Sequence, residues 1–293
     1  MKRTIDLLPF LLALCLFLCT ACAEERAPAE STAVSFSEPE SVSEISAPET
    51  REGIWLPVKV TNHSPVQSTE TYEYGENGLP ARITTVYAMD GREEVTLFTY
   101  DQDQHLLEQV TTDEEGNEVA YIRQTYRDGK LTSKTQLEAG SSRERTTLYT
   151  YDEEGRMTKE EPSDGIGEIL TYIYEEDGSY TVSFTDGYTL LYNSQGDVLR
   201  SCNKDGELTE EYLYDECNRL LTYKQYIAEE VSATYRFHYD EKGNLSKREY
   251  FSYDDLMQTL LYGYDEHGNN ISLSVLSGGN EMTVVETEYA FFS

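Results

Sequence analysis

Carboxylates are the most numerous side chains in this sequence that could do chemistry. The 293 residues include 55 Asp+Glu against 23 Lys+Arg, which gives a formal net charge of −32. Two carboxylates can hydrolyse a glycosidic bond when one acts as the acid and the other as the base or nucleophile. The acids are so numerous that the sequence singles out no such pair. The same charge argues against nucleic acid as a partner, because a phosphate backbone would repel such a surface.

Motifs for nucleophilic or metal-dependent catalysis are sparse. The four histidines form no H-E-x-x-H pair, and neither G-x-S-x-G nor a phosphate-binding glycine loop occurs. The segment Ser201–Lys204 fits the loose S-x-x-K pattern of penicillin-binding enzymes, but the S-D-N and K-T-G motifs that accompany it are missing. We therefore predict a protein that is not an enzyme, with no catalytic residue and no cofactor.

Acidic residues recur next to glycines in short segments such as Asp152–Gly155, Asp240–Gly243 and Asp265–Gly268. Asp at the first position caps its own backbone and Gly at the last adopts positive φ, so these segments are predicted turns. Neighbouring turns could bind Ca²⁺ weakly, although the sequence contains no 12-residue calcium loop. The alternative is a solvated acidic rim that keeps the protein soluble. The candidate calcium ligands are Asp152, Glu153, Asp240, Glu241, Asp265 and Glu266.

A tyrosine precedes each of these turns, and the pattern repeats about every 24 residues. A second series of turns falls midway between them, so each repeat is a β-hairpin. Turn signals this frequent leave no room for amphipathic helices. The sequence predicts an all-β fold, an antiparallel meander of about 19 strands in a curled or spiralling sheet. The tyrosines of the repeat are Tyr74, Tyr100, Tyr126, Tyr151, Tyr174, Tyr192, Tyr214, Tyr239, Tyr264 and Tyr289.

Aromatic rings alternate along the strand before each turn, which places them on one face of the sheet. Apolar residues follow the turns, as at Leu131, Met157, Val198 and Leu245, and each is predicted to pair with a ring on the neighbouring strand. Tyrosine rings on a curved sheet could stack against sugars or hold an extended peptide. The alternative is that the rings form only the core of the repeat. The candidate ligand-stacking residues are Tyr74, Tyr100, Tyr151, Tyr174, Tyr214, Tyr239 and Tyr264.

The repeat unit [YF]-x-Y-D-x-x-G-x-L occurs at 237–245, and at 149–157 with Met157 in the final position. It resembles the YD repeat of RHS-type bacterial surface proteins, and the resemblance covers about residues 70–292. The resemblance implies hairpins in a long spiralling sheet that can curl into a hollow shell. The Asp-Pro-x-Gly core motif of that family is missing, so we expect no enclosed toxin domain. We also expect the array to be too short to close a full shell.

The N-terminus is predicted to export the chain. A basic start and the apolar run 7–18 are typical of a signal peptide, here residues 1–21. Leu18 to Cys22 resemble a lipobox, with Cys19 where Leu, Val or Ile is usual, and the resemblance implies acylation of Cys22. The alternative is cleavage after Ala23, which would release the protein. Residues 22–52 are predicted to be a disordered acidic linker, and residues 53–293 the repeat domain.

Two cysteines remain in the repeat domain, Cys202 and Cys217. A predicted strand separates them, which is too far for a disulfide, so we predict two free thiols.

These features predict a lipid-anchored protein on the extracellular side of a bacterial membrane. We expect a binding or scaffold module whose partner is a polysaccharide or a protein. One alternative is a glycan-processing enzyme that uses turn carboxylates. It is disfavoured because catalysis needs one unique constellation, whereas this chain repeats similar residues. The other alternative is a purely structural spacer.

Overall fold

The computed structural model describes residues 53–277 and 279–292. The predicted signal peptide, Cys22 and the linker lie outside the described residues. Every regular element in the described part is a β-strand, which confirms the predicted fold class. The strands are β1 Ile54–Asn62, β2 Ser68–Tyr74, β3 Pro80–Tyr87, β4 Glu93–Tyr100, β5 Leu106–Thr112, β6 Glu118–Arg127, β7 Lys130–Leu137, β8 Arg145–Tyr151, β9 Met157–Pro162, β10 Leu170–Tyr174, β11 Tyr180–Phe184, β12 Thr189–Tyr192, β13 Val198–Cys202, β14 Leu208–Tyr214, β15 Leu220–Ile227, β16 Glu230–Tyr239, β17 Leu245–Ser252, β18 Asp255–Tyr264, β19 Asn270–Ser277 and β20 Asn280–Phe292.

Each strand pairs antiparallel with the next, as the repeat predicted, and the sheet closes on itself. The closing seam joins β1 to β20, with Val60 opposite Thr287 and Asn62 opposite Val285. The expectation that the array is too short to close was therefore wrong. The number of strands is 20 rather than about 19, because β1 lies before the first tyrosine repeat and carries none of its signals. That additional strand supplies the partner for β20.

The closed sheet has two rims that differ in their turns. The proximal rim, where β1 begins and β20 ends, holds the turns that follow the repeat tyrosines. The distal rim, at the opposite ends of the strands, holds the second series of turns. The proximal turns are 75–79, 101–105, 128–129, 152–156, 175–179, 193–197, 215–219, 240–244 and 265–269. The distal turns are 63–67, 88–92, 113–117, 138–144, 163–169, 185–188, 203–207, 228–229 and 253–254, together with the β19/β20 connection.

The proximal turns have the predicted chemistry. In the turn 240–244, Asp240 Oδ1 accepts the backbone N–H groups of Lys242 and Asn244, at 2.9 and 2.8 Å. Gly243 then takes a φ of +90°. Asn218 occupies the glycine position of the turn 215–219 at a φ of +61°, as predicted, because Asn tolerates the left-handed region. Local turn chemistry therefore determines where each hairpin folds.

The two faces of the sheet carry different side chains. Paired residues project from the same face, and successive residues from opposite faces. By this register the buried Val60 and Val182 lie on the same face as Tyr72, and we call it the inner face. The outer face carries cross-strand ion pairs, for example Lys59 with Glu288 at 2.7 Å. Buried side chains and tyrosine rings on the inner face, with ion pairs on the outer face, account for the alternation in the sequence.

The two cysteines of the repeat domain are free, as predicted. Cys202 ends β13 at the distal rim, whereas Cys217 lies in the proximal turn 215–219. The length of β14 separates them. Among the described residues, no helix is long and apolar enough to cross a membrane.

Candidate functional site on the inner tyrosine face

The densest polar cluster on the inner face surrounds the carboxylate of Glu210 on β14. Tyr188, Tyr212 and Tyr223 donate their hydroxyls to it, at 2.9, 3.2 and 2.6 Å. Ser201, which is 1% exposed, donates its hydroxyl to the same carboxylate at 3.0 Å. One carboxylate thus receives four hydroxyl groups from four strands or turns. We call these five residues the Glu210 cluster.

Strand register assembles the Glu210 cluster. Ser201 on β13 and Gln225 on β15 pair with Glu210 from either side. Tyr212 is two residues further along β14, so it shares the face of Glu210, and Tyr223 pairs with Tyr212 across β15. Gln225 donates its amide to the Tyr223 hydroxyl at 2.6 Å. The cluster therefore depends on three neighbouring strands in one register.

The tyrosines of the cluster are held in their neutral form. Burial raises the pKa of Tyr188 to about 12, and the charge of Glu210 adds to this shift. Burial and the nearby Glu210 carboxylate also raise the pKa values of Tyr212 and Tyr223 well above the usual value. A neutral hydroxyl can donate to a carboxylate, whereas a phenolate would repel it. The cluster is therefore a set of hydrogen-bond donors around one negative charge.

A row of four stacked rings continues from the cluster across β14 to β17. The ring centroids of Tyr212 and Tyr223 are 4.7 Å apart, those of Tyr223 and Tyr235 5.2 Å, and those of Tyr235 and Tyr250 4.8 Å. The residues pair directly across the strands, so the row follows from the register. Offset-stacked aromatic pairs of this kind contribute about 0.5–1.5 kcal/mol each. The row fixes the rings beside the Glu210 cluster.

Other glutamates on the inner face each bind one tyrosine. Tyr72 donates to Glu70 at 2.6 Å and Tyr87 donates to Glu94 at 2.9 Å. Tyr172 donates to Glu160 through a very short contact. Pairing of a carboxylate with a phenol is therefore a recurring feature of this face. The Glu210 cluster differs because three phenols converge on one carboxylate.

The seven tyrosines predicted to stack against a ligand all lie on the inner face, and each has a structural role that the sequence did not indicate. Each hydroxyl donates to a backbone carbonyl of the preceding strand. For example, Tyr214 donates to Val198 O at 2.9 Å and Tyr239 to Leu220 O at 2.9 Å. The remaining bonds are Tyr74 to Pro57, Tyr100 to Pro80, Tyr151 to Leu131, Tyr174 to Met157 and Tyr264 to Leu245. Stacking by a ligand stays a prediction for these residues.

The carbonyl acceptors follow from the repeat geometry. Tyr151 pairs with Met157, and Tyr239 with Leu245, which confirms the predicted tyrosine–aliphatic pairs. A register shift lies at each of these pairs. Such an irregularity removes a carbonyl from the regular ladder, and the repeat tyrosine of the next strand donates its hydroxyl to it. One side chain thus binds each of these tyrosine-bearing strands to the strand before it.

The predicted calcium-binding acids lie on the proximal rim. Asp152, Asp240 and Asp265 use their carboxylates within their own turns; Asp152, for instance, binds the Arg156 guanidinium at 2.8 Å. Desolvation alone would raise the pKa of these three carboxyls, but hydrogen bonds from the turn outweigh it and hold each pKa below its usual range. Glu153, Glu241 and Glu266 are exposed. Calcium binding stays a prediction at this rim.

Two features of the proximal rim gather polar groups. A shallow cavity of about 360 Å³ lies between the turns 240–244 and 265–269, and Asp240, Glu241 and Asp265 line it with Tyr264. In the turn 101–105, ligand atoms of Asp101, Asp103 and His105 lie within 4.8 Å of one another. Asp101 already accepts His105 Nδ1 at 2.9 Å. This geometry is that of a capped turn, as in the other repeats.

No protein-family model and no curated protein matches this chain. Among solved structures, the chain is similar to one in the crystal structure of TcdB2-TccC3-Cdc42, with 14% identity and a TM-score of 0.32 over 71% of this chain and 12% of that chain. It therefore spans about an eighth of the length of that chain. It is also similar to a porin-like protein from Bacteroides uniformis, with 14% identity and a TM-score of 0.37 over 80% of this chain and 95% of that chain. A porin-like protein from Bacteroides vulgatus gives 12% identity and a TM-score of 0.35 over 80% and 98% of the two chains.

Proposed function

We propose that this chain is a non-enzymatic binding module of the bacterial cell envelope, and that its inner tyrosine face binds a polysaccharide. The Glu210 cluster is the observation that carries the proposal. A carboxylate accepts hydrogen bonds from sugar hydroxyls, and phenol hydroxyls can donate to them or accept from them. Aromatic side chains present an apolar body and a polar tip, which suits the mixed surface of a sugar ring. The cluster combines both kinds of group at one place.

The carboxylates of the proximal rim support a binding role over a catalytic one. A glycosidase needs one carboxyl group with a raised pKa as its general acid. Asp152, Asp240 and Asp265 have lowered pKa values and are bonded within their turns. They are therefore poor general acids, and we propose that the protein catalyses no reaction and uses no cofactor.

A scaffold role is the second candidate, and the seven tyrosine–carbonyl bonds favour it. A module that only holds other parts apart needs a stiff body. Tyrosine hydroxyls that donate to a carbonyl of the preceding strand stiffen the sheet without any ligand. The two candidates differ in whether a substitution in the Glu210 cluster removes binding of a soluble partner.

We propose that Cys22 is acylated and holds the protein on the extracellular side of the membrane. The lipobox-like residues 18–22 and the acidic linker up to residue 52 support this anchor. Expression in a bacterium fed an alkyne-tagged fatty acid tests it. The full chain should carry the label and Cys22→Ala should not. Label-free wild-type protein in the culture medium would instead show release after cleavage.

A glycan array tests polysaccharide binding. The chain with Cys22→Ser keeps every described residue and lacks the acylation site, so it can be used in solution. The proposed site is supported if the chain binds a polysaccharide, Glu210→Gln abolishes this binding and Glu211→Gln leaves it intact. Glu211→Gln is the matched control, because Glu211 lies on the outer face of the same strand and binds Lys224 at 3.3 Å. Absence of binding to every glycan by a folded protein would favour the scaffold.

A further inference from the structure

Exposed apolar side chains are concentrated on part of the distal rim. Of the ten large apolar residues that are more than half exposed in the described chain, seven lie in or near the distal turns of five successive hairpins. Of the other three, Ile166 lies in the distal turn 163–169, outside these five hairpins, and Ile54 and Ile173 lie in β1 and β10. The seven, which we call the apolar arc, are Val66, Met89, Ile227, Tyr253, Leu256, Met257 and Met282.

The five hairpins follow one another around the rim. They are β15/β16, β17/β18, β19/β20, β1/β2 and β3/β4, and adjacent members are joined by the strand pairs β16–β17, β18–β19, β20–β1 and β2–β3. Successive hairpins stand two strands apart, about 9–10 Å, so the arc extends over roughly 40 Å. Exposed apolar side chains that recur on five neighbouring hairpins make this part of the rim a candidate interaction site. The closing seam brings the two ends of the domain into one surface.

The arc is also acidic. The segments 64–67, 88–90, 227–230, 253–257 and 279–282 contain no Lys or Arg. Arg92, two residues after the segment 88–90, is bound to Glu94 at 2.9 Å and stacks on Tyr87. The exposed acids among the apolar residues are Asp90, Glu229, Glu230, Asp254, Asp255 and Glu281. An anionic lipid surface or the same rim of a second copy would be repelled by these charges.

Backbone conformation adds a second observation at the same hairpins. Glycine takes positive φ at most distal turns, but Ala228, Glu229 and Tyr253 take φ of +50°, +67° and +52°. A bulky residue in this region is strained, and such strain is concentrated at functional sites. Glycine at the position of Tyr253 would relieve the strain but would remove an exposed ring from the arc.

We propose that the apolar arc is the docking surface for a protein partner that presents apolar side chains among lysines or arginines. Apolar contacts would provide the burial, and the acids of the arc would pair with the partner's cations and orient it. The arc lies at the ends of the strands opposite to Ile54. This surface is separate from the Glu210 cluster and goes beyond the polysaccharide-binding function.

Two synthetic amphipathic peptides test the proposal. Both have leucine at the same positions, and the remaining positions are lysine in one peptide and glutamate in the other. A scrambled leucine–lysine peptide of the same charge controls for attraction to net charge alone. Fluorescence anisotropy with the Cys22→Ser chain should show binding of the patterned leucine–lysine peptide and weaker binding of the other two. The triple variant Met89→Ser, Tyr253→Ser, Met257→Ser keeps every charge and should lower the affinity by about tenfold or more.

The matched control is Ile166→Ser, Ile173→Ser, which removes exposed apolar side chains outside the arc and should leave the affinity unchanged. Far-ultraviolet circular dichroism verifies that both variants keep the β-fold. Equal affinity of wild type and the triple variant would overturn the proposal, because it would show attraction to charge alone. Two other results would also overturn the proposal. If the wild type forms concentration-dependent dimers in analytical ultracentrifugation and the triple variant does not, the arc binds a second copy. If the wild type binds phosphatidylcholine vesicles and the triple variant does not, the arc binds a lipid surface. Glu210→Gln should not alter peptide binding, so this test and the glycan array fail independently.

Discussion

Glu210 and Glu211 are neighbours in sequence whose side chains lie on opposite faces of the sheet, Glu210 among hydroxyl groups and Glu211 beside a lysine. Glu210 accepts the hydroxyls of three tyrosines and Ser201 on the inner face. Glu211 binds Lys224 at 3.3 Å and accepts the hydroxyl of Tyr226 at 3.1 Å on the outer face. The same residue type in the same strand thus forms a polar cluster on one side and a partly exposed ion pair on the other.

This contrast predicts different costs for two matched substitutions. Glu210→Gln should lower the free energy of unfolding by about 1.5–3 kcal/mol, because hydrogen bonds to a charged acceptor are lost. Glu211→Gln should cost less, about 1 kcal/mol or below, because its ion pair with Lys224 is partly exposed and 3.3 Å long. Urea unfolding followed by tyrosine fluorescence measures both. Equal costs would show that the Glu210 cluster has no special energetic role.

The tyrosine–carbonyl bonds predict a cost for removing one hydroxyl. Tyr214→Phe keeps the ring and loses the bond to Val198 O, so the free energy of unfolding should fall by about 0.5–1.5 kcal/mol. Tyr253→Phe is the control, because that side chain is 59% exposed at a hairpin tip, and its effect should stay within about 0.5 kcal/mol. If both variants unfold at the urea concentration of the wild type, the bonds do not stabilise the sheet.

Alkaline pH should unfold the protein. Burial raises the pKa of Tyr74, Tyr149, Tyr188 and Tyr214 to about 12 in the folded chain, whereas unfolded tyrosine titrates near about 10. Their contribution to stability is complete below about pH 10 and is lost as the pH rises towards 12. Phenolate absorbance and far-ultraviolet circular dichroism should therefore change together in that window. Full ionisation near pH 10 with an intact β-signal would contradict this prediction.

The effect of calcium on thermal stability distinguishes the two interpretations of the proximal rim, a weak Ca²⁺ site and a solvated acidic rim. The carboxylates of Asp152, Asp240 and Asp265 are bonded within their own turns, so we expect the melting midpoint to be the same with and without millimolar Ca²⁺. Magnesium at the same ionic strength controls for screening. A midpoint that calcium raises and magnesium does not would support the predicted weak site.

The two thiols should react at different rates. Cys217 is exposed in a proximal turn, whereas Cys202 is partly buried at the end of β13. Iodoacetamide should modify Cys217 first, and mass spectrometry of the unreduced chain should find both residues unpaired. A disulfide between them would require the two rims to meet and would contradict the strand assignment.

Hairpin positions could be predicted from the sequence because their signals are local. Asp240 and Gly243 fix one turn by themselves, and Asn218 replaces glycine with a residue that tolerates the same backbone. The tyrosine before each turn, with the aliphatic residue after it, indicated which face is inner. These features need no knowledge of distant residues.

Closure and the Glu210 cluster could not be predicted, because both depend on pairing between distant segments. No residue pattern in Ile54–Asn62 indicates that this segment pairs with β20. The segment also lacks the tyrosine repeat, so the sequence did not predict it as a strand. Tyr188 and Ser201 reach Glu210 only through the registers of β12 to β14. The signal available in the sequence is the alternation of Glu210, Tyr212 and Tyr214, which places all three side chains on one face of the strand.

Because β1 pairs with β20, one edge of the first strand of the domain stays unpaired until the last strand has formed. While the sheet assembles from its N-terminal end, β1 and the most recently added strand both present unpaired backbone groups, and the sheet has no open edge only once β20 has paired with β1. Until then either edge can accept a strand from another molecule. Loss of even the final hairpin would leave that vulnerability permanent, so shortened chains should form aggregates where complete ones remain monomeric.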